Sequence, residues 1–246
     1  MGISRYAAGY DNTVPPMSRS LLFFVLSIGY SLCFALNTAA QKTESSIPIT
    51  VTPFYDADGP LVNIGTFSQE LQNATSRSIQ PLTHKMEAQL DSLSAVAMFV
   101  LAIRLYDLGF RDDAVRWYYR ASYRASFFKR IIDPERIGSI GSPAFELKSA
   151  HYAFQQLSGG YFNGYAGCDK DKWLATIEQV QRENKNPPNL ASIYRSVTFI
   201  PADKWAEKHN DTNADRNQLA DYIRVNWSEI ESIREKNGTN KEYCRD

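Results

Sequence analysis

The sequence is poor in the residues that most often bind metals or act as nucleophiles. Its three histidines are His84, His151 and His209, and none stands at the spacing of a metal-binding pair on one helix. A zinc site needs three or four converging ligands, and the chain has no local cluster of them. The Gly-x-Ser-x-Gly motif of α/β-hydrolases is absent as well. We therefore predict neither a bound metal nor a cofactor.

The chain also lacks an excess of charge of either sign. Its 27 lysines and arginines are balanced by 27 aspartates and glutamates. Proteins that bind nucleic acids or anionic membranes usually carry a basic surplus on their surface. We therefore expect no nucleic-acid partner and no electrostatic attachment to a membrane.

Long apolar runs are missing too, with one exception near the N-terminus. Residues 21–36 are almost wholly apolar, follow a basic residue and precede several small ones. This layout is typical of a secretory signal peptide, here residues 1–40, cleaved before Gln41 with translation starting at Met17. Cleavage would leave 206 of the 246 residues, in the periplasm or outside the cell. The alternative is an uncleaved segment, in which residues 21–36 anchor the protein to the inner membrane.

Three cysteines are too few for a disulfide framework but sufficient for one bridge. Cys33 lies in the predicted signal peptide, which leaves Cys168 and Cys244 as an even pair. Disulfides persist in the oxidising compartments to which exported proteins are sent. We therefore predict a disulfide bond between Cys168 and Cys244.

What the sequence does contain is a strong helical pattern in residues 92–130. In residues 92–108, apolar side chains recur every three or four positions, as on one face of a helix. Gly109 can leave that helix with a positive φ angle, and Asp112 or Asp113 can cap a second helix. Both helices carry apolar residues on several sides. The region therefore predicts a helical hairpin that the rest of the chain buries.

The spacing of small and large residues in this hairpin resembles one Sel-like repeat, a variant of the tetratricopeptide (TPR) helical hairpin. The positions that carry the resemblance are Leu101, Leu105, Tyr106, Gly109, Asp112, Ala114, Trp117, Tyr118 and Ala121. Small alanines let the helices approach, while the tryptophan and tyrosines fill the angle between them. A resemblance of this kind implies a fold and assigns no activity.

No second copy of the hairpin occurs at a fixed period, and repeat proteins need several copies to bury a continuous core. We therefore expect one Sel-like/TPR-like hairpin inside an irregular helical domain. Residues 138–146 and 162–166 also resemble stretches of exported bacterial proteins of unassigned function. That resemblance implies export and no activity.

The chain before the hairpin predicts an arm. Residues 41–83 are polar and aperiodic, which favours an extended N-terminal arm, with a short strand at residues 47–51 and a short helix at residues 67–72. Residues 84–246 form the predicted helical domain. The predicted fold class is therefore all-α, an irregular helical domain around one Sel-like/TPR-like hairpin with an extended N-terminal arm.

Three more helices are predicted after the hairpin. The first begins at Ser142 and stops at the glycine pair 159–160. The next is capped by Asp169, and the last spans residues 216–237. Residues 192–200 are rich in β-branched and aromatic side chains and favour either a strand or a loop.

The second hairpin helix carries the candidate binding residues. Arg116, Arg120 and Arg124 recur every four positions, and Tyr123 and Phe127 lie beside them. Arginine offers planar donors to carboxylates and stacks on aromatic rings, which is the composition of an interface hot spot. We predict that these five residues form a binding strip. The alternative is that the arginines pair with acids of the same chain.

These features predict an exported, non-enzymatic module that binds a protein or a peptide. One form of this function is an immunity-type protein that neutralises a toxin, since that role needs only export, stability and a complementary surface. The alternative is a periplasmic hydrolase whose catalytic residues are scattered in sequence. In a hydrolase, His151 or His209 would meet a carboxylate or a hydroxyl group in a deep pocket.

Overall fold

The computed structural model describes residues 64–244, and the fold of this part is all-α, as predicted. It contains short 3-10 turns, one isolated β-bridge and ten α-helices, which we number in chain order. These helices are α1 (Ser68–Gln72), α2 (Ile79–Glu87), α3 (Ala95–Asp107), α4 (Arg111–Ile131), α5 (Pro143–Ala166), α6 (Lys170–Glu183), α7 (Leu190–Ile193), α8 (Trp205–Val225), α9 (Trp227–Lys236) and α10 (Thr239–Tyr243). Within residues 64–244, no helix is long and apolar enough to cross a membrane.

Helices α3 and α4 form a tight hairpin at the centre of the fold. α3 is capped by Ser94, whose side chain accepts a hydrogen bond from the backbone N–H of Ala97. The turn that follows contains Gly109 with a φ of 88°, a value that favours glycine. α4 packs against α3, α5, α6 and α8, so it is buried on most sides, and Trp117 in its middle is fully buried. The kinship with Sel-like repeats stays a prediction.

The start of α4 differs from the prediction. α4 begins at Arg111, and among the described residues no side chain caps it, so neither Asp112 nor Asp113 is the N-cap. Both aspartates lie in the first turn instead, where negative charge interacts favourably with the helix dipole. Their carboxylates also bind other helices, since Asp112 accepts a hydrogen bond from Tyr165 and Asp113 accepts one from Gln80.

Helix α5 continues through the two glycines that we expected to stop it. Gly159 and Gly160 lie inside a helix that ends only at Ala166. A Cβ atom at Gly159 would lie 2.9 Å from the hydroxyl oxygen of Tyr118 on α4. Glycine at this position therefore permits close packing of α5 against α4, and it does not mark a helix end.

The single C-terminal helix that we predicted is two helices. α8 begins well before residue 216, at Trp205. It is separated from α9 by Asn226, which has a φ of −101° and a ψ of 18°. The side-chain amide and the backbone N–H of Asn226 both donate to the carbonyl oxygen of Tyr222. Gly238 follows α9 with a φ of 72° and closes it as predicted.

Two other regions also differ from or refine the prediction. Residues 192–200 form no extended strand, because the first of them belong to α7 and only Phe199 makes an isolated bridge, with Ile132. The short helix predicted at residues 67–72 is confirmed by α1, whereas the end of the predicted arm is not extended, because α2 begins at Ile79. Leu71 and Ile79 are both buried in the core. The predicted signal peptide, its cleavage site, the strand predicted at residues 47–51 and the arm up to residue 63 lie outside the described residues.

Candidate functional site

The predicted binding strip lies in the interior of the fold. Tyr123 and Phe127 are fully buried, and Arg120 and Arg124 are also buried. Arg116 keeps partial exposure, and its guanidinium lies 2.8 Å from a carboxylate of the preceding helical turn. Helices α6 and α8 cover this side of α4. The expectation of an exposed strip is therefore corrected, because helices distant in sequence pack over it.

Arg120 is held by acids of the same chain. Its Nε and Nη2 atoms donate to the two carboxylate oxygens of Glu183 on α6, each at 2.7 Å, and Nη2 also donates to Glu87 on α2 at 2.8 Å. Its guanidinium carbon lies 4.7 Å from the ring centre of Trp117. Burial lowers the pKa of Arg120, but the hydrogen bonds and charges of the two carboxylates outweigh this effect, and its pKa is raised. Arg120 thus ties α4 to α2 and α6.

Arg124 also has a structural partner. Its Nη1 atom donates to the backbone carbonyl oxygens of Leu90 and Leu93, in the segment that precedes α3. Burial is the main influence on this guanidinium and lowers its pKa. Arg124 therefore fixes the middle of α4 to the start of the hairpin and is not free to bind a partner.

Sequence reasoning missed a third buried arginine, Arg216 of α8. Its Nη2 atom donates to the hydroxyl group of Ser126 on α4 at 3.1 Å. Within the described part of the chain, the Nε atom of Arg216 and the hydroxyl groups of Ser122 and Tyr123 are buried without hydrogen-bond partners. The sequence predicts that the last helix begins at residue 216, so no preceding helical turn indicates the face on which Arg216 lies. In the structure α8 begins at Trp205, and Arg216 lies on its buried face.

Two of the histidines, His151 and His209, are buried between helices, and His151 meets a hydroxyl group. His151 Nε2 lies 3.5 Å from the hydroxyl oxygen of Tyr194, which accepts a hydrogen bond from the backbone N–H of Ala95. Burial lowers the pKa of His151 to about 4 and raises that of Tyr194 to about 12, so both are neutral near pH 7. Phe128 packs edge-on against both rings and closes the pair off from solvent. His209 bonds to a backbone carbonyl group.

In residues 64–244, no three histidine, cysteine, aspartate or glutamate side chains are grouped so that they could hold a metal ion. The one covalent cross-link of this region is the disulfide bond between Cys168 and Cys244, as predicted, with Cα atoms 5.5 Å apart. Cys168 lies just before α6 and Cys244 just after α10. The bridge therefore holds the end of the chain against the junction of α5 and α6.

Helix α5 carries exposed residues of a different kind. No Asp, Glu, Lys or Arg occurs from residue 149 to residue 168. On the inner side of α5, Phe154 and Phe162 stack on aromatic rings of α3 and α4. On the outer side, Tyr152 and Leu157 are 57% and 50% exposed. We call the exposed outer residues the α5 face, and its members are Ser149, Tyr152, Ala153, Gln156, Leu157 and Gly160.

The α5 face has definite limits. From Ser149 to Gly160 it extends about 16 Å along the helix axis. A Cβ atom at Gly160 would have no neighbour within 4 Å among the described residues, so this end is open. One turn further on, the ring of Tyr243 covers Gly164, where a Cβ atom would lie 2.8 Å from the ring. Helix α10 therefore closes the α5 face at its C-terminal end.

The comparisons with known proteins found one relative. A protein of Haemophilus influenzae, named only as an uncharacterized protein, is 23% identical over 239 aligned residues, which cover 91% of this chain and 87% of the relative. No protein-family model and no solved structure matches the chain. The relative lends this chain no activity.

The sequence contains a signal for the α5 face. The uncharged run from residue 149 to residue 168 is visible in the sequence, but the helical periodicity of the run indicates only the residues that face the core. A surface helix normally carries charged residues on the side that faces water. The uncharged outer stretch at residues 149–160 is therefore unusual, and it is the feature that periodicity alone does not reveal.

Proposed function

We propose that the protein is an exported, non-enzymatic module that binds another protein or a peptide through the α5 face. The observation that carries this proposal is the exposure of Tyr152 and Leu157 in a stretch of α5, residues 149–160, that contains no Asp, Glu, Lys or Arg. Protein interfaces are depleted of charged residues at their centre and enriched in aromatic ones. The fitting partner presents an uncharged, apolar groove or helix.

The shape of the α5 face supports a close approach. Ala153 and Gly160 are small and stand on either side of Leu157, so a partner helix can come near the backbone of α5. A single helix face of about 16 Å is a small contact surface. Binding should therefore depend mainly on Tyr152 and Leu157, the two large side chains of the face.

Export is part of the proposal. It is supported by the disulfide bond, which is compatible with an oxidising compartment, and by the predicted signal peptide in residues 1–40. The protein would act in the periplasm or outside the cell, or at the inner membrane if residues 21–36 remain uncleaved. Neutralisation of a toxin is one form of this function, because it requires a stable exported domain and a complementary surface.

Site-specific photo-crosslinking in cells tests the proposal. A photoreactive side chain is placed at Leu157 or, as a matched control, at Val225, another aliphatic residue, which is 81% exposed and lies outside the α5 face. We expect position 157 to yield one defined protein adduct and position 225 to yield none. With the photoreactive group moved to position 152, Leu157→Lys should abolish the adduct and Val225→Lys should leave it. Both lysine variants should melt within about 2 °C of the wild type.

Three outcomes would contradict the proposal. Position 157 could form adducts only with residues 41–63 of the same chain, which would make the α5 face an internal contact. It could form adducts only with a second copy of the chain, which would make the face a dimer interface. Equal adducts at positions 157 and 225 would show that the contact is not specific to the α5 face.

A further inference from the structure

The disulfide bond lies against a buried positive charge. Arg234 of α9 is only 8% exposed, and its Nη2 atom lies 3.3 Å from Sγ of Cys244 and 3.6 Å from Sγ of Cys168. The other hydrogen bonds of this guanidinium go to neutral acceptors, namely Oδ1 of Asn240 at 2.8 Å and the carbonyl oxygen of Gly164 at 2.9 Å. Among the residues that the structure describes, no carboxylate forms an ion pair with Arg234.

The absence of a side chain at Gly167 leaves room for the guanidinium group of Arg234. A Cβ atom at Gly167 would overlap the guanidinium group of Arg234, so a glycine at the end of α5 makes the close approach possible. Arg234 therefore sits in a fitted position that points it at both sulfur atoms. It is not a surface side chain that happens to lie near the bridge.

A buried cation without a counter-ion is unfavourable. Burial lowers the pKa of Arg234, which reflects the loss of hydration of its charged form. Reduction of the disulfide would create the missing anion, because a thiolate would then lie in contact with the guanidinium. Thiolates are stabilised by neighbouring arginine, and a disulfide whose reduced form is stabilised is more easily reduced.

We infer that the bond between Cys168 and Cys244 is a reactive disulfide that exchanges with dithiols, and that Arg234 stabilises the thiolate released from it. Cys244 is exposed whereas Cys168 is partly buried, so an incoming thiolate reaches the sulfur of Cys244. The site serves thiol–disulfide exchange and is separate from the α5 face.

The exchange balances in electrons and protons. One thiolate of the dithiol attacks Sγ of Cys244 and forms a mixed disulfide, while the bond to Cys168 breaks and its electron pair stays on Cys168 as a thiolate beside Arg234. The second thiol of the reductant loses its proton and attacks its partner sulfur in the mixed disulfide. Cys244 leaves with the electron pair and takes up a proton. Two electrons have then passed to the protein and the dithiol has become a disulfide. Counted from the fully protonated dithiol, one proton has gone to water, namely the one lost when the attacking thiolate formed.

The other ionisable groups around the bridge do not replace Arg234. Tyr243 of α10 is neutral near pH 7, because burial and the nearby charge of Glu242 raise its pKa. At the start of α6, the carboxylate of Asp169 accepts a hydrogen bond from the backbone N–H of Lys172. The carboxylates of Glu242 and Asp169 would disfavour a thiolate. The stabilising groups are Arg234, whose guanidinium contacts both sulfur atoms, and the N-terminus of α6, which follows Cys168.

The test compares the wild type with Arg234→Met and Arg234→Lys in buffers of reduced and oxidised dithiothreitol. In Arg234→Met, the thiolate loses one charge-assisted hydrogen bond. The equilibrium between the reduced and the disulfide form of the protein should therefore shift towards the disulfide by about tenfold, which lowers the reduction potential by about 30 mV for two electrons. Arg234→Lys keeps the charge and should shift it less. At pH 7, alkylation of reduced Cys168 by iodoacetamide, located by mass spectrometry, should slow by about tenfold in Arg234→Met. Arg224→Met, which removes an exposed arginine, is the matched control and should change neither quantity.

A role of Arg234 limited to packing would lower the melting temperature and leave the alkylation rate of Cys168 unchanged. Equal equilibrium constants and equal alkylation rates in the wild type and Arg234→Met would therefore overturn the inference. If Arg234→Met does not fold, Asn240→Ala removes the acceptor that holds Nε and should slow alkylation by a smaller factor. An unchanged rate in that variant would overturn the inference as well.

Discussion

Two ion pairs of equal length allow the effect of burial on stability to be measured in one protein. In the pair Arg120–Glu183 the side chains are 5% and 20% exposed, and in the pair Arg224–Glu178 they are 42% and 45% exposed, while the N–O distance is 2.7 Å in both. Removing one partner of a buried pair leaves an unpaired charge and costs about 3 to 5 kcal/mol. An exposed pair contributes about 0 to 1 kcal/mol.

The perturbation is Arg120→Met, with Arg224→Met as its matched control. Without Arg120, Glu183 keeps a largely buried charge, whereas Glu87 is more than a third exposed and can be hydrated. We therefore expect the unpaired charge of Glu183 to cost about 3 kcal/mol of stability, the lower end of the range for a broken buried pair. The lost contact with the ring of Trp117 should cost about 0.5 to 1 kcal/mol more. A loss of about 3 to 4 kcal/mol should lower the melting temperature by about 6 to 16 °C. Arg224→Met should cost less than about 1 kcal/mol.

Urea denaturation of four proteins isolates the interaction itself. They are the wild type, Arg120→Met, Glu183→Gln and the double variant, which form a double-mutant cycle. We expect a coupling energy of about 2 kcal/mol or more, because both single changes break the same pair of hydrogen bonds. A coupling below about 0.5 kcal/mol, or equal losses in Arg120→Met and Arg224→Met, would refute the argument that burial makes this pair strong.

The same pair should respond to pH. Burial raises the pKa of Glu183, but the hydrogen bond and charge of Arg120 outweigh this and hold it below the ordinary value of 4.5. A carboxylate whose pKa is lower in the folded state stabilises the fold above its unfolded pKa, and this contribution is lost as the pH falls through the folded pKa. The stability difference between the wild type and Arg120→Met should therefore shrink as the pH falls below 4.5. A difference that stays constant would contradict this account of Glu183.

Three further stability changes can be measured by urea denaturation. Trp117→Ala should cost about 3 to 5 kcal/mol, because it removes a fully buried side chain, and a melting temperature within about 2 °C of the wild type would place Trp117 outside the core. Gly159→Ala should lower the stability by about 1 kcal/mol, because the added Cβ atom would contact Tyr118. Gly160→Ala should raise the stability by about 0.5 to 1 kcal/mol, because the position is open and alanine favours helix more than glycine does. Equal effects of the two changes would contradict the packing argument. Cys244→Ser should cost about 4 kcal/mol in the absence of reductant, because the bridge closes a span of 76 residues, and unchanged stability would show that the bridge does not constrain the unfolded chain.

The sequence predicted the elements whose signals are local. Helical periodicity located the hairpin, and the cap at Asp169 was correct, since its side chain accepts a hydrogen bond from the backbone N–H of Lys172. Each of these signals depends on residues within one or two helical turns. The helix end predicted at the glycine pair 159–160 was wrong, because glycine can either end a helix or permit close packing between helices. Only the position of Tyr118 on another helix shows that Gly159 has the second role.

The binding strip could not be judged from the sequence because its burial depends on distant residues. Periodicity correctly placed Arg120 away from the seam between α3 and α4. It could not show what covers Arg120, since Glu87 and Glu183 are 33 and 63 residues away along the chain. The same limit applies in part to the α5 face, because the uncharged run is visible in the sequence but the side of α5 that faces solvent depends on the helices packed against it.

The buried arginines differ in the groups that their guanidinium contacts, and Arg234 differs from the others in contacting a disulfide bond. Arg120 is matched by two carboxylates, so its burial is explained by the helices it joins. Arg234 is equally removed from water, but its described partners are a carbonyl oxygen, an amide oxygen and the two sulfur atoms of the disulfide. Burial of an uncompensated charge disfavours the folded state, and Arg124 and Arg216 share this feature, since their hydrogen bonds go to carbonyl or hydroxyl oxygens. What distinguishes Arg234 is its contact with both sulfur atoms, because reduction would place a thiolate beside its guanidinium. The inferred exchange therefore depends on this arginine and not on the bridge alone.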